Sequence, residues 1–350
     1  EDLTTRVASG NTPDMTTQIN GRALVPYVEA GLLKDISGEA FLDKIRESEL
    51  EASRIGDGIY ALPMDTQAWG MFYNRSLFEE AGVEVPLTVS GFKEMVEGLN
   101  AAGITPFSAG FATPWTIGQY FGYATSGAFT PAAQADLDSY MAGDFSFRDV
   151  EEIDAIMEMF DLIVTNTQDR PMDSEISAQY VTFASEQAAM MPQGIWSILQ
   201  IRELNPELDM SIFPVPLTEN PDDVRFPTQY GFVLNIFDNT DKMDALRTYI
   251  NFYLDQDGPG GFYYDEIGVP SANATAEVPL DPAAELLSDY IGRGDTVMTF
   301  HMLLPAGFQV ESFSLTSEYI ANHVGDHDWL LDELDAALLR FSRQEMGTDN

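Results

Sequence analysis

The chain has 350 residues and a formal charge of −40 at pH 7, from 57 acidic against 17 basic side chains, with 45% hydrophobic and 11% aromatic residues. Such a chain has enough apolar material for more than one domain, and its acidity excludes the basic stripe that nucleic acid or an anionic membrane surface would require. With no cysteine, disulfides, thiol catalysis and thiolate metal sites are excluded too.

In chain order, helical and extended patterns alternate, as in an α/β fold. Arg54–Leu62 reads as a hairpin, two β-rich runs around Asp57-Gly58. Gly56-x-Gly58-x-x-Ala61 also matches a dinucleotide-binding glycine pattern, but Pro63 ends any helix that would have to begin there. Thr88 caps a helix with Phe92, Met95, Val96 and Leu99 on one face. Ile153, Ile156, Met157, Phe160 and Val164 predict a second. Met210–Val215 and Gly231–Phe237 read as buried strands. A third helix runs from near Thr240 through Met243, Leu246 and Ile250, and a fourth carries Leu330, Leu334, Leu338 and Phe341. No apolar run reaches membrane-spanning length, and no signal segment, repeat or flexible linker is visible. Domains without a linker are expected to share crossing strands.

Few motifs carry chemistry. Asp255-x-Asp257-x-Pro259-Gly260 with Glu266 has calcium-loop spacing, but Pro259 supplies no side-chain oxygen and a helix exit explains the same residues. Asp326-His327-Asp328 beside His323 offers metal ligands, against which stands a polar turn capping the last helix. There is no nucleophile elbow and no phosphate loop, and with three histidines and no cysteine a nucleophile–base pair is hard to assemble. No metal or other cofactor is expected. Trp69, Trp115 and Trp196 instead stand in Gly- or Pro-containing stretches beside polar residues, while Trp329 lies in a plain helical pattern. Flat aromatic faces with neighbouring amides and carboxylates are one form of small-ligand pocket, suited to pyranose rings; core packing is the alternative for each.

The segments LTTRVASGNTPD (Leu3–Asp14), PYVEAGLL (Pro26–Leu33), DGIYALPMDTQAWGMFYNRSLFEE (Asp57–Glu80) and AAMMPQGIW (Ala188–Trp196) resemble those of family 1 extracellular solute-binding proteins, as do Gly231–Asn235 and Tyr249–Pro270. The resemblance implies a type II periplasmic-binding fold, two α/β lobes joined by strands crossing near residues 108, 230 and 298. Lobe 1 would be residues 1–107 plus 231–297, and lobe 2 residues 108–230 plus 298–350. It implies a monomer, outside the cytoplasm or lipid-anchored at the cell surface, that captures a mono- or oligosaccharide between the lobes and passes it to the membrane permease of an ABC importer. The matched opening corresponds to a point after the family's first strand, helix and strand, so either the sequence is a truncated one or lobe 1 is incomplete. By position, Trp69, Gly194 and Trp196 match ligand-contacting places, Trp69 from one lobe, Trp115 and Trp196 from the other. Asp65, Trp115, Gln119, Gln229, Tyr230, Phe300, His301 and Asn20 fall in or beside pocket-facing segments. Val89-Ser90-Gly91 replaces the family's Trp-Asp-Glu, so the capping box at Thr88 is lost.

Two other readings stay open. The same fold could take a cationic solute such as a polyamine, for which the acidic excess offers carboxylates. A glycosidase using two carboxylates has no motif behind it. With four lysines and many aspartates, the surface fits both a salt-adapted protein and an ordinary acidic one.

Overall fold

The computed structural model describes residues 3–17, 19, 21–50, 53–128, 146–231, 233–255, 270–274, 280–299, 302 and 304–345. The chain divides into two compact units, Glu1–Gln67 with Gln229–Asp281 and Ala68–Thr228 with Pro282–Asn350. In the first stretch lie α1 (Leu3–Ala8), β1 (Met15–Thr16), α2 (Leu24–Glu29), α3 (Glu47–Leu50), β2 (Arg54–Ile55), β3 (Gly58–Ile59) and β4 (Leu62–Pro63). Then come β5 (Gln67–Asn74), α4 (Arg75–Ala81), α5 (Val89–Ala101), α6 (Trp115–Ala128), α7 (Ile153–Thr165), α8 (Ile176–Ala184), β6 (Met190–Gly194), α9 (Ile198–Leu204), β7 (Met210–Phe213) and β8 (Phe226–Gln229). β9 (Val233–Ile236) and α10 (Met243–Tyr253) follow, then α11 (Glu285–Arg293), β10 (Thr296–Met298), α12 (Ala306–Asn322) and α13 (His327–Glu345).

The first unit is built on a three-stranded antiparallel sheet in the order β1-β9-β4. Phe41, Leu62, Met64, Leu234, Ile236 and Ile250 form its core. The expected hairpin is present, but its turn is Gly56-Asp57, one residue earlier than read, because Arg54 pairs with Ile59 and Ile55 with Gly58. Gly56 takes φ +60°, a left-handed position that a side chain would disfavour.

The second unit holds a five-stranded sheet in the order β10-β8-β5-β6, with β7 also on β5. β5 is antiparallel to both β6 and β7, and β10 is parallel to β8. These pairings place the chain divisions at 67/68 and 281/282, not at 107/108 and 297/298: β5 pairs with strands of the second unit, and so does β10. Trp69 therefore belongs to the same unit as Trp115 and Trp196, not to the opposite one.

The helices follow their apolar periodicity. On α7, Ile153, Ile156, Met157, Phe160 and Val164 are all buried, and on α13 so are Leu330, Leu334 and Leu338. Thr88 caps α5 as expected, its Oγ1 accepting from Gly91 N at 3.0 Å. A further first-turn donor is met from afar: Glu219 accepts from Ser90 N at 2.9 Å and from Ser90 Oγ at 2.6 Å. α6 and α12 approach so closely that a Cβ on Gly118 would sit 2.5 Å from the Phe313 ring.

Candidate functional site

In the second unit an aromatic row runs from the sheet outward. Trp69, in the middle of β5, lies opposite Gly194 of β6. Its ring is stacked on Tyr123 of α6 at 5.1 Å and 4°, and meets Tyr120 edge-on at 5.8 Å. Tyr123 in turn faces Trp196 at 6.4 Å and 36°. Trp69 is 1% exposed and Tyr123 2%, whereas Trp196 is half-buried. Trp69 is thus a core strand residue and not a loop platform. It backs the row, and Trp196 ends it. Burial pushes both tyrosine phenols up from their ordinary pKa, so they stay neutral.

The local backbone explains the pose of Trp196. It sits in a single 3-10 turn, Ile195–Ser197, directly after β6. A Cβ on Gly194 would lie 2.1 Å from Cζ3 and 2.2 Å from Cη2 of the Trp196 ring, so only glycine lets the ring lie back over the chain. The indole Nε1 donates to Gln193 Oε1 at 3.1 Å.

Trp115 is half-buried at the first residue of α6, so it too is helical and not in a loop. Gln119, one turn on, is buried and lines a small cavity of about 20 Å³ with Phe121, Phe147, Phe308, Gln309 and Leu334.

In the first unit the predicted residues form a separate polar cluster. Asp65 and Gln67 are buried. Gln67 Nε2 donates to Asp65 Oδ2 at 2.7 Å, and Gly231 N donates to Asp65 Oδ1 at 3.0 Å. Gln67 Oε1 is buried with no partner, an acceptor left to meet a hydroxyl or an ammonium. Tyr230 is 2% exposed and spends its hydroxyl on the carbonyl of Glu49, while Gln229 is half-buried at the end of β8. Glu49 accepts from Thr66 Oγ1 at 2.8 Å and pairs with Arg46 at 3.5 Å. Burial raises its pKa, partly offset by those two partners.

Asn20, Phe300 and His301 lie outside the described residues, as does the calcium-like loop beyond Asp255. His327 Nε2 bonds Asp161 at 2.8 Å, and His323 stacks on Trp329 at 4.0 Å, so the two imidazoles do not converge. Asp326 Oδ1 accepts from Trp329 N at 3.2 Å, the polar turn at the start of α13. Among the described residues no group of side chains could hold a metal ion. Gln67, Tyr123 and Gln193 escaped the sequence reading. Spacing could have found two of them: Gln67 is two residues from Asp65 and from Trp69, and Tyr123 is four from Gln119 and eight from Trp115 along α6.

A family model described as bacterial extracellular solute-binding protein matches residues 1–258. The multiple sugar-binding protein of Streptococcus mutans is 24% identical over 292 residues, 81% of this chain and 69% of that protein. Among solved structures, the solute-binding protein RafE in complex with raffinose superposes with a TM-score of 0.81 at 22% identity, over 97% of this chain and 88% of that one. A chitin oligosaccharide binding protein gives 0.82 at 18% identity, over 99% and 88%. These likenesses show the fold expected from the sequence, a mixed helix-and-sheet solute-binding architecture.

Proposed function

The chain belongs to the bacterial extracellular solute-binding protein family, and we propose that within it the protein is a carbohydrate receptor that feeds an ABC importer. The observation that carries this reading is the aromatic row. Trp196 presents part of a flat ring, backed by Tyr123 and Trp69 so that it cannot retreat. A ring fixed in this way suits the apolar face of a pyranose. The sugar-binding descriptions of its relatives point the same way. Capture without turnover, action outside the cytoplasm as a monomer, and delivery to permease subunits complete the proposal.

A cationic ligand is the second reading, because the acceptors Asp65 and Gln67 suit an ammonium as well as a hydroxyl. A thermal-shift panel separates the two. Raffinose, maltotriose, chito-oligosaccharides and galactose form one arm, putrescine and spermidine the other. At a ligand concentration about 100 times Kd, binding adds about 2.7 kcal/mol of stability, a readily measured rise in Tm. A rise with at least one sugar supports the proposal. A rise with polyamines only replaces it.

A further inference from the structure

Behind Trp196 lies a chain of buried amides. Gln193 of β6 and Gln179 of α8 are both fully buried. Trp196 Nε1 donates to Gln193 Oε1 at 3.1 Å, Gln193 Nε2 donates to Gln179 Oε1 at 3.1 Å, and Gln179 Nε2 donates to the Ser108 carbonyl at 3.2 Å. The direction of the chain is fixed at both ends. An indole N–H can only donate and a carbonyl can only accept, so each amide has one orientation that satisfies its neighbours. The far end is anchored by a backbone bond and by close packing. Ser108 N is bonded to Met190 O at 2.8 Å, and Gly110 packs so tightly on α8 that a Cβ there would lie 3.0 Å from Glu175 O and 3.1 Å from Gln179 Cβ.

Trp196 needs such a device. It is half-buried on a one-turn segment, so its ring has room to swing. Trp69, on the same row, is enclosed, and its Nε1 is buried without a partner. A buried indole N–H normally finds an acceptor, so contacts alone hold Trp69, while Trp196 is held by a directional bond.

We propose that Gln179 and Gln193 are positioning residues that aim the Trp196 ring from behind, with Gln179 acting at a distance through Gln193. The inference rests on the carbohydrate reading only for what Trp196 is aimed at; the relay itself is a property of the ligand-free protein.

The test is the ¹⁵N–¹H spectrum of the four indole N–H groups in the whole chain without ligand, assigned by single Trp→Phe variants. Gln179→Leu removes the acceptor of Gln193 Nε2 and leaves the Gln193 amide, apart from Trp196, only a long contact from Gly194 N at 3.4 Å. The Trp196 indole resonance should then lose its hydrogen-bonded shift and exchange with solvent at least tenfold faster, with those of Trp69 and Trp115 unmoved. Gln179→Glu, which still accepts from Gln193 Nε2, should restore the Trp196 resonance. A purely structural role predicts the opposite ranking, since a buried carboxyl costs more than a leucine. Should Gln179→Leu prove too unstable for spectra, Gln193→Met reads the same bond directly. An unchanged Trp196 signal in either Gln179→Leu or Gln193→Met overturns the relay, as does failure of Gln179→Glu to restore it. A wild type that binds no sugar, with variants that show these shifts, overturns the carbohydrate reading and leaves the relay standing.

Discussion

Replacing Gly194 by alanine inserts one methyl group where the Trp196 ring now lies. The new carbon would sit 2.1 to 2.4 Å from three atoms of that ring, well inside contact distance. The backbone does not object: φ −91° and ψ 165° suit any residue. The whole perturbation therefore falls on the tryptophan. A half-buried ring relieves the clash by swinging outward, which breaks its bond to Gln193 at a cost of about 1 kcal/mol; if it stays, overpacking costs about 1–3 kcal/mol. Either way the fold survives. The ligand loses its platform, and an aromatic anchor is worth about 2 kcal/mol, or roughly 30-fold in Kd. Isothermal titration with the best sugar of the thermal-shift panel measures this. Gly292→Ala is the control, because a Cβ there meets nothing within 4 Å. The double variant Gly194→Ala, Trp196→Ala should bind no more weakly than Trp196→Ala alone, since both remove one interaction. A Kd for Gly194→Ala within twofold of wild type, or additive losses in the double variant, would refute the reasoning.

Acid should act on two buried or half-buried carboxylates with opposite signs. Glu39 is held below its ordinary pKa by hydrogen bonds from Arg247, so its stabilisation is present above the unfolded value and is lost as pH falls through the folded one. Glu39→Gln should therefore lower Tm near neutrality and converge on wild type in acid, and a difference independent of pH would contradict the pairing. Glu49 is raised by burial, so its ionisation costs stability as pH rises from the unfolded value through the folded one; Glu49→Gln melts should gain on wild type across that window. The segment 1–67 alone should stay unfolded by circular dichroism, because β1 and β4 both pair with β9 from the distant stretch; a cooperative melt would contradict the division. At −40, raising salt from about 0.1 M to about 1 M cuts the Debye length from about 10 Å to about 3 Å, so Tm should rise. Sugar affinity should stay constant over that range, and a steep fall would point to a cationic ligand.

What the sequence made legible was local. The faces of α5, α7 and α13 repeat every three to four residues, and burial follows that repeat. The cap at Thr88 was legible for the same reason, whereas Glu219, which accepts from Ser90 N in the same helical turn, comes from 129 residues away. The unit boundaries failed on the same ground. The partners of β5 lie at Met190–Gly194 and Met210–Phe213, more than 100 residues downstream, and nothing in Gln67–Asn74 announces them. The spatial division of the lobes is a matter of pairing, and pairing at that separation leaves no periodic trace.

The tryptophans show where composition stops being informative. Trp69 and Trp196 both have a glutamine and a glycine within three residues, Gln67 and Gly70 for one and Gln193 and Gly194 for the other. Their fates diverge because of the neighbouring backbone. Trp69 lies within β5 and is enclosed; Trp196 comes two residues after the last β6–β5 pair, where the chain turns. Gly194 and Trp69 are that last pair, so the strand that buries one tryptophan also supplies the glycine over which the other lies. The site is thus made by strand register. A slip of one residue between β5 and β6 would send Trp69 to the other face of the sheet and put a side chain opposite it in place of Gly194. Affinity for a flat ligand should accordingly fail together with the β5–β6 register, and survive changes to α10 or α11, which take no part in that pairing.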